Sequence, residues 1–489
     1  MKELFREERL LIDGELVSAT GGKTYQNINP ATEEVIGAAA DAGPEDIDRA
    51  IAAARRAFDE TGWSRDHELR ARCLRQLQEA YLDHAEHLRQ SYVAEVGCPI
   101  QQTYGPALDA PVSSLSYYAD FLEKYEWSED LGVSEVFGTR AHRWIEREPI
   151  GVVGAITAWN YPHELNLKKV GWALAAGCTV VLKGAPATPW CNLLFGKLLH
   201  ENTDLPPGVV NVITSSQNGI GELVTTDPRV DMVSFTGSTA TGKAILKVTA
   251  PDVKRVTLEL GGKSPLLLMD DLPGIPDIAG HAGATVCGHS GQGCAMLSRV
   301  LVPKRHLEES AEKLVAAMAN VKVGDPYDME TVQGPQSSAA QRERVLDLVQ
   351  QGVAEGSKLL CGGRAHPDFA KGYYVEPTAF IAEPDQLVAQ QEFFGPVQTL
   401  IGYEDEEDAI RIANHSSYGL SGAILAADLE RAKRIARRVR TGTMTINGGV
   451  WYGPEVPFGG YKCSGLGREN GRAGFEEFLE IKALGEPAA

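Results

Sequence analysis

IGVVGAITAWNYPHELNLKKVGWALAAGCTVVLK, residues 150–183, decides the fold. IGVVGAITA reads as a buried strand, LNLKKVGWALAAG as a helix and CTVVLK as a second buried strand. Two apolar strands joined through a helix must run parallel, because the crossover returns the chain to the same end of the sheet. Downstream the alternation continues. PWCNLLFGKLLHEN (189–202) reads as a helix, GVVNVI (208–213) as a strand and GIGELVTT (219–226) as a short helix. DMVSF (231–235), TATGKAILKVT (239–249) and KRVTLEL (254–260) repeat strand, helix, strand. Such alternation predicts a doubly wound α/β sheet.

Upstream, residues 45–104 read as helices, with apolar positions at helical spacing and little Gly or Pro. After Gly261 a second α/β series begins with SPLLLMD, a helix near 276–288 and RVLVP, and it runs to GTMTIN (442–447). The prediction is therefore two doubly wound α/β domains: a Rossmann-like cofactor domain, 1–127 and 148–260, and a catalytic thiol domain, 261–470. The polar, strand-like 128–147 reads as an exposed hairpin arm whose edges need a partner. Together with 471–489 it is assigned to a small β oligomerisation arm.

Composition narrows the function. The chain has 489 residues and a net charge of −19, from 47 basic and 66 acidic side chains. Such a surface repels nucleic acid and anionic membranes, so neither is expected as a partner. Eight cysteines are scattered singly, with no CxxC pair or Cys/His ligand cluster, so no disulfide scaffold or metal site is predicted. A reducing compartment, the cytoplasm, fits best. The charged N-terminus lacks an apolar signal core, and no apolar run approaches a membrane span.

Open parallel sheets bind ligands at the carboxyl ends of their strands, where Asn160, Lys183 and Ser238 fall; two further segments carry reactive groups. Gly291-Gln292-Gly293-Cys294 offers a thiol in a small-residue loop. Glu259-Leu260-Gly261-Gly262-Lys263 offers a carboxylate at a strand end. A thiolate attacks carbonyl carbon, and a carboxylate takes a proton from a thiol or from water. Asn160, after IGVVGAITA, reads either as an oxyanion donor or as a turn residue. Lys183 reads as a ribose or phosphate contact or as a solvated charge. Ser238, opening a helix after DMVSF, reads as a phosphate contact or simply as an N-cap. The GxGxxG fingerprint is absent from these turns, so a standard Rossmann phosphate loop is unsupported.

Taken in order, AWNYP, the Lys183 strand end, FTGST, LELGGKS, GQGC, EFFGPV and PFGGYKCSGLGREN resemble the aldehyde dehydrogenase superfamily. The resemblance runs from about residue 10 to the C-terminus. It implies that Cys294 is the nucleophile, Glu259 the general base and Asn160 part of the oxyanion hole. Lys169 and Glu469 match a proton-relay pair. Lys183 matches the adenosine-ribose lysine, Ser238 and Gly237 the pyrophosphate turn, and Glu392 with Phe394 the nicotinamide side. Ile156, Trp159, Gly221 and Gly261 are placed around the same cofactor. The implied reaction is oxidation of an aldehyde to the carboxylic acid with NAD(P)+, through a thiohemiacetal and a thioester on Cys294. The arm and the C-terminal segment resemble oligomerisation elements, which implies a homodimer or homotetramer.

Three departures stand out. The family often has Lys-Pro-x-Glu, whose Glu disfavours a ribose 2′-phosphate; here the run is Lys183-Gly184-Ala185-Pro186. NAD is expected, with NADP tolerated. His289 replaces a common Asn, without an assigned role. The turn SSQNGIG, before the Gly221 helix, is less glycine-rich than usual, and no contact is carried over from it. At the substrate funnel, Tyr161, Glu164, Trp451 and Tyr452 are expected to line the pocket, with His163, Asn166 and Lys168 nearby. A mixed polar and aromatic funnel suits a polar or hydroxylated aldehyde, unless the polar groups point to solvent. Two other functions compete. One is a CoA-acylating semialdehyde dehydrogenase, which needs no deacylating base such as Glu259. The other is a binding or structural protein that keeps the fold without turnover.

Overall fold

A computed structural model describes residues 4–488. Five parallel strands form the centre of the first sheet, in the order Arg255–Glu259, Met232–Thr236, Val152–Ile156, Thr179–Lys183 and Val210–Ile213. These are the segments read as strands, and nearly all their residues are buried, as expected when helices cover both faces. The expected doubly wound α/β fold is present. Leu10–Ile12 and, outside it, Glu15–Val17 add two antiparallel strands at one edge. At the other edge Gly465–Leu466 pairs antiparallel with Leu258 and Glu259. The chain thus returns to the first sheet from within the 261–470 stretch, which brings Glu469 back beside the Glu259 strand.

The helix Pro162–Ala176 is buried almost all round. It starts on a proline, whose missing N–H is no loss in a first turn, and stops at Gly177, whose φ of 94° ends it. The helix Thr239–Thr249 starts on Ser238, whose Oγ accepts from the Thr241 N–H at 3.2 Å.

The second sheet runs Lys358–Cys361, Thr378–Ile381, Val397–Tyr403, Arg299–Pro303, Pro265–Leu268, Ala423–Leu425 and Thr445–Ile446. All pairs but the first are parallel. Alternate residues feed two separate cores. Leu266, Leu268, Val300 and Leu400 pack on one face, while Leu267, Leu301, Ile401 and Phe380 pack on the other. That is the period-two geometry of a strand covered on both sides. The helix expected near 276–288 ends earlier, at Ala284, and the chain continues as an irregular turn to Gly291. In that turn His289 and Ser290 take left-handed φ of 48° and 56°.

The arm is a hairpin, Ser128–Val136 and Thr139–Pro149, extended by the C-terminal strand Leu479–Pro487 into a three-stranded antiparallel sheet. Among the described residues no helix is long and apolar enough to cross a membrane.

Candidate active site

A cavity of about 610 Å³ lies at the carboxyl ends of the first sheet's strands, against the segments that lead into the second sheet. Cys294, Glu259 and Asn160 all line it. They come from three places: the turn after the helix Ile275–Ala284, the end of a central strand, and the loop after Val152–Ile156.

Close backbone packing sets the thiol loop. Gly291 has φ 73°, and a side chain there would collide with the Gly395 carbonyl. A side chain on Gly262 would meet the carbonyl of Cys294. Gln292, fully buried, accepts from the Ser337 N–H at 2.8 Å and donates to the carbonyls of His289 and Pro335. The Asn160 amide donates to the Gln292 carbonyl at 2.9 Å, which leaves its second N–H for a ligand. The Asn160 carbonyl accepts from Tyr92 Oη at 3.1 Å and from His289 Nε2 at 2.9 Å. His289 and Gln292 therefore brace the Asn160 loop against the thiol loop. No sequence motif assigned them that work, although the departure at His289 marked the position.

Burial and the carboxylates of Glu259, Glu392 and Glu164 push the Cys294 thiol well above its ordinary pKa. Burial and the Glu469 anion likewise hold the Glu259 carboxyl well above the usual carboxylate range. Glu259 Oε2 is buried without a protein partner, and Gly459 leaves the room its other oxygen occupies. Burial alone would raise Glu469 too, but the Lys169 and Lys168 ammonium groups outweigh it and hold Glu469 ionised. Lys169 Nζ donates to Glu469 Oε1 at 2.5 Å and to Ser234 Oγ at 3.0 Å. Lys169 itself does not line the cavity; its charge reaches the cavity through Glu469.

The other half of the cavity is lined by Gly237, Ser238, Gly261, Glu392, Phe394 and Trp159. Glu392 Oε1 accepts from the Gly262 N–H at 2.8 Å, and a side chain at Gly261 would collide with the Glu392 carboxyl. Burial raises Glu392 to about 7. Phe394 sits edge-on to Trp159 at 5.3 Å, held by a left-handed φ of 55°. Ile156, Lys183 and Gly221 lie outside the cavity lining but adjoin one another. Ile156 is in register with Lys183 on the neighbouring strand, and the Gly221 α-carbon faces the Ile156 side chain. Burial lowers Lys183 to about 8.

At the opposite mouth, Tyr161, Glu164, Trp451 and Tyr452 line the cavity together with Lys168 and Phe458. His163 and Asn166 turn away from it, though not to solvent. His163 bonds Tyr81 at 3.2 Å in the core and is fully buried, which pushes it down to about 3. Asn166 bonds Thr157 and Asn192. The reason is helical spacing: Tyr161, Glu164, Leu165 and Lys168 share one face, and His163 and Asn166 lie off it.

The profile of the aldehyde dehydrogenase family matches residues 16–484. A 3-succinoylsemialdehyde-pyridine dehydrogenase from Pseudomonas sp. is 42% identical over 479 residues, 97% of each chain. Crystal structures of similar shape include an aldehyde dehydrogenase C variant from Pseudomonas syringae with NAD+ and octanal. It has TM-score 0.92 and 37% identity, over 99% of this chain and 98% of that one. Betaine aldehyde dehydrogenase from Staphylococcus aureus with NAD+ gives TM-score 0.94 and 34% identity, over 98% and 94%. The chain belongs to the aldehyde dehydrogenase family, and its reaction is the oxidation of an aldehyde to the acid.

Proposed function

We propose that this protein oxidises its aldehyde with NAD+, using Cys294 as nucleophile, Asn160 as oxyanion donor and Glu259 as base. One observation carries the assignment: the three line a single cavity with Glu392, Phe394 and the Gly237–Ser238 turn on its far side. The residues present fit a dinucleotide. Glycine at 261 keeps clear the space beside Glu392. Ser238 opens an eleven-residue helix, whose positive end favours phosphate. Lys183, Ile156 and Gly221 extend this surface along the strand ends, and Glu392 would take ribose hydroxyls. Bound NAD+ supplies the hydride acceptor.

The raised pKa values of Cys294 and Glu259 mean that both hold their protons in the resting cleft. Attack requires the thiol proton to leave. Glu259 first gives up its own proton toward the Glu469 carboxylate and then takes the thiol proton, as one base can serve two steps. Sulfur then bonds to the carbonyl carbon, and the oxyanion formed is held by the free Asn160 N–H and the Cys294 N–H. Each such donor contributes about 3 kcal/mol to the step. Loss of hydride from that carbon leaves a thioester on Cys294. Glu259 releases that proton toward Glu469, next draws a proton from water, which adds to the thioester, and returns it to sulfur as the acid departs and the thiol reforms. Glu259 in the cleft supports hydrolysis over transfer to CoA. Glu469 and Lys169 stand behind Glu259 as a path for its proton.

NAD is the cofactor in this reading, and NADP is tolerated because Pro186 offers no carboxylate against a 2′-phosphate. The arm supports a homodimer or homotetramer, and the protein is assigned to the cytoplasm. The test is direct. With NAD+ and a simple aldehyde the parent should form NADH without CoA. Cys294→Ser should form none while still binding NAD+, and Glu259→Gln should give a burst of NADH followed by slow turnover. NADH formation by the serine variant at the parent's rate would assign the nucleophile elsewhere.

A further inference from the structure

We infer that Lys168, Glu164 and Tyr452 form a polar subsite in the aromatic mouth of the cavity, built to take a neutral carbonyl oxygen on the aldehyde, away from its reacting carbon. The inference rests on the aldehyde dehydrogenase reading and names the substrate class within it.

Lys168 Nζ donates to Glu164 Oε1 at 2.8 Å, and Tyr452 Oη donates to the same oxygen at 3.1 Å. The lysine and glutamate side chains are only 7% and 13% exposed, yet both line the cavity. The walls around them are aromatic. Lys168 Nζ lies 5.0 Å over the Phe458 ring, and Trp451 stacks on the same ring at 5.6 Å. An ammonium carries three N–H donors, and Glu164 is its one hydrogen-bond acceptor among the described residues. Glu469 Oε2, at 4.0 Å, attracts it without bonding. A charged donor buried in an aromatic wall with N–H groups unspent is costly until an acceptor arrives. Burial does not discharge it, because Glu164 and Glu469 outweigh desolvation and keep Lys168 an ammonium.

Charge decides which acceptor. Glu164, Lys168, Lys169 and Glu469 balance, two anions against two cations. A carboxylate entering here would meet the Glu164 anion with no surplus positive charge to hold it. A ketone or amide oxygen takes the Lys168 N–H without disturbing the ion pair, and a flat substituent beyond it packs on Trp451 and Phe458. The class indicated is a neutral aldehyde bearing a second carbonyl and an aromatic or apolar body.

The experiment compares kcat/KM with NAD+ for three aldehydes of equal length. One is an aryl γ-keto aldehyde, the second has methylene in place of the ketone, and the third ends in a carboxylate. The parent should favour the keto aldehyde over the methylene one by about tenfold or more, the scale set when a site's donor is left unpaired. Lys168→Met should bring that ratio to within about threefold of unity, through loss on the keto aldehyde. Glu164→Gln should raise the carboxylate aldehyde relative to the methylene one by about tenfold, because the repelling anion is gone. Equal rates on the keto and methylene aldehydes in the parent would overturn the subsite while leaving the dehydrogenase intact. So would a Lys168→Met variant whose keto-to-methylene ratio equals the parent's, whatever common fall comes through Glu469. Should Lys168→Met fail to fold, an unchanged ratio in Glu164→Gln overturns it alone. A parent that oxidises none of the three overturns the dehydrogenase reading as well.

Discussion

Lys169 and Glu469 stand 300 residues apart in the chain and meet at 2.5 Å at the wall of the cavity that Glu259 lines. The lysine comes from the buried helix that follows the first sheet strand of the βαβ unit. The glutamate arrives with the glycine-rich stretch that pairs back onto the Glu259 strand. Their union keeps an anion beside Glu259, and that anion helps hold the Glu259 carboxyl protonated at rest.

Glu469→Gln removes the anion and leaves the Lys169 cation. Both changes lower the Glu259 pKa, so the base is available at lower pH. The acid limb of the pH–rate profile for thioester hydrolysis should therefore move to lower pH. The variant also leaves a buried ammonium without its carboxylate, at a cost of about 3 kcal/mol, so its melting temperature should fall. An acid limb that stays in place, in a variant that melts earlier, would show that Glu469 is structural and does not reach Glu259.

Much of this was legible in the sequence because buried parallel strands and capped helices have strong local signatures. PWCNLLFGKLLHEN is the helix Pro189–Asn202, and KRVTLEL contains the strand Arg255–Glu259. The strand Val397–Tyr403, central in the second sheet, went unread. Gln398 and Gly402 interrupt its apolar run, and the fit of Gln398 depends on the distant Leu297 carbonyl, to which it donates at 3.1 Å. Position along the motifs located Cys294, Glu259 and Asn160. It did not reveal that His163 and Asn166 face inward, because the partners that draw them there, Tyr81 and Asn192, lie on other elements. The work of His289 was hidden for the same reason.

His289→Leu should slow the first-turnover formation of NADH by about tenfold, the worth of one buried hydrogen bond. It removes one of the two donors that fix the Asn160 carbonyl. NAD+ affinity should not change, since His289 is not among the residues that line the cavity with Glu392. His289→Gln carries an N–H of similar reach and should recover most of the rate. A glutamine variant no faster than the leucine one, with both melting like the parent, would mean that packing against Tyr161, 4.9 Å away, is what matters.

Pro186→Glu should shift cofactor preference toward NAD by placing a carboxylate where a 2′-phosphate would sit. The loop has little freedom to adjust. Gly184 has no room for a side chain against Asn192, which is itself tied to Asn166 and the Thr188 carbonyl. Lys183, lowered to about 8, loses its charge as pH rises through that value. KM for NADP should therefore rise more steeply between neutral and mildly alkaline pH than KM for NAD. The ratio of kcat/KM for the two cofactors, in parent and variant, measures the first effect. An unchanged ratio would remove position 186 from cofactor choice.

The arm has unfinished edges. Thr139–Pro149 is paired on both sides, by Ser128–Val136 and by Leu479–Pro487, so among the described residues those outer strands each keep an open edge. Leu131 and Val133 on the hairpin are half exposed, Phe137 at its turn is fully exposed, and Ile481 on the C-terminal strand is 69% exposed. Unpaired backbone beside apolar side chains is a surface for a second copy, and two-fold closure satisfies both copies at once. Light scattering at micromolar concentration should give a dimer or tetramer mass. Removal of the chain from Glu480 onward tests the cause without opening the core. It spares Phe475, which packs on Phe121, Tyr125 and Trp127, and Phe478, whose carbonyl accepts from the Ile150 N–H. The truncated chain should run as monomers or aggregate, because Thr139–Pro149 then loses its cover on one side. A parent of monomer mass, or a truncated protein that assembles as the parent does, would place the contact elsewhere.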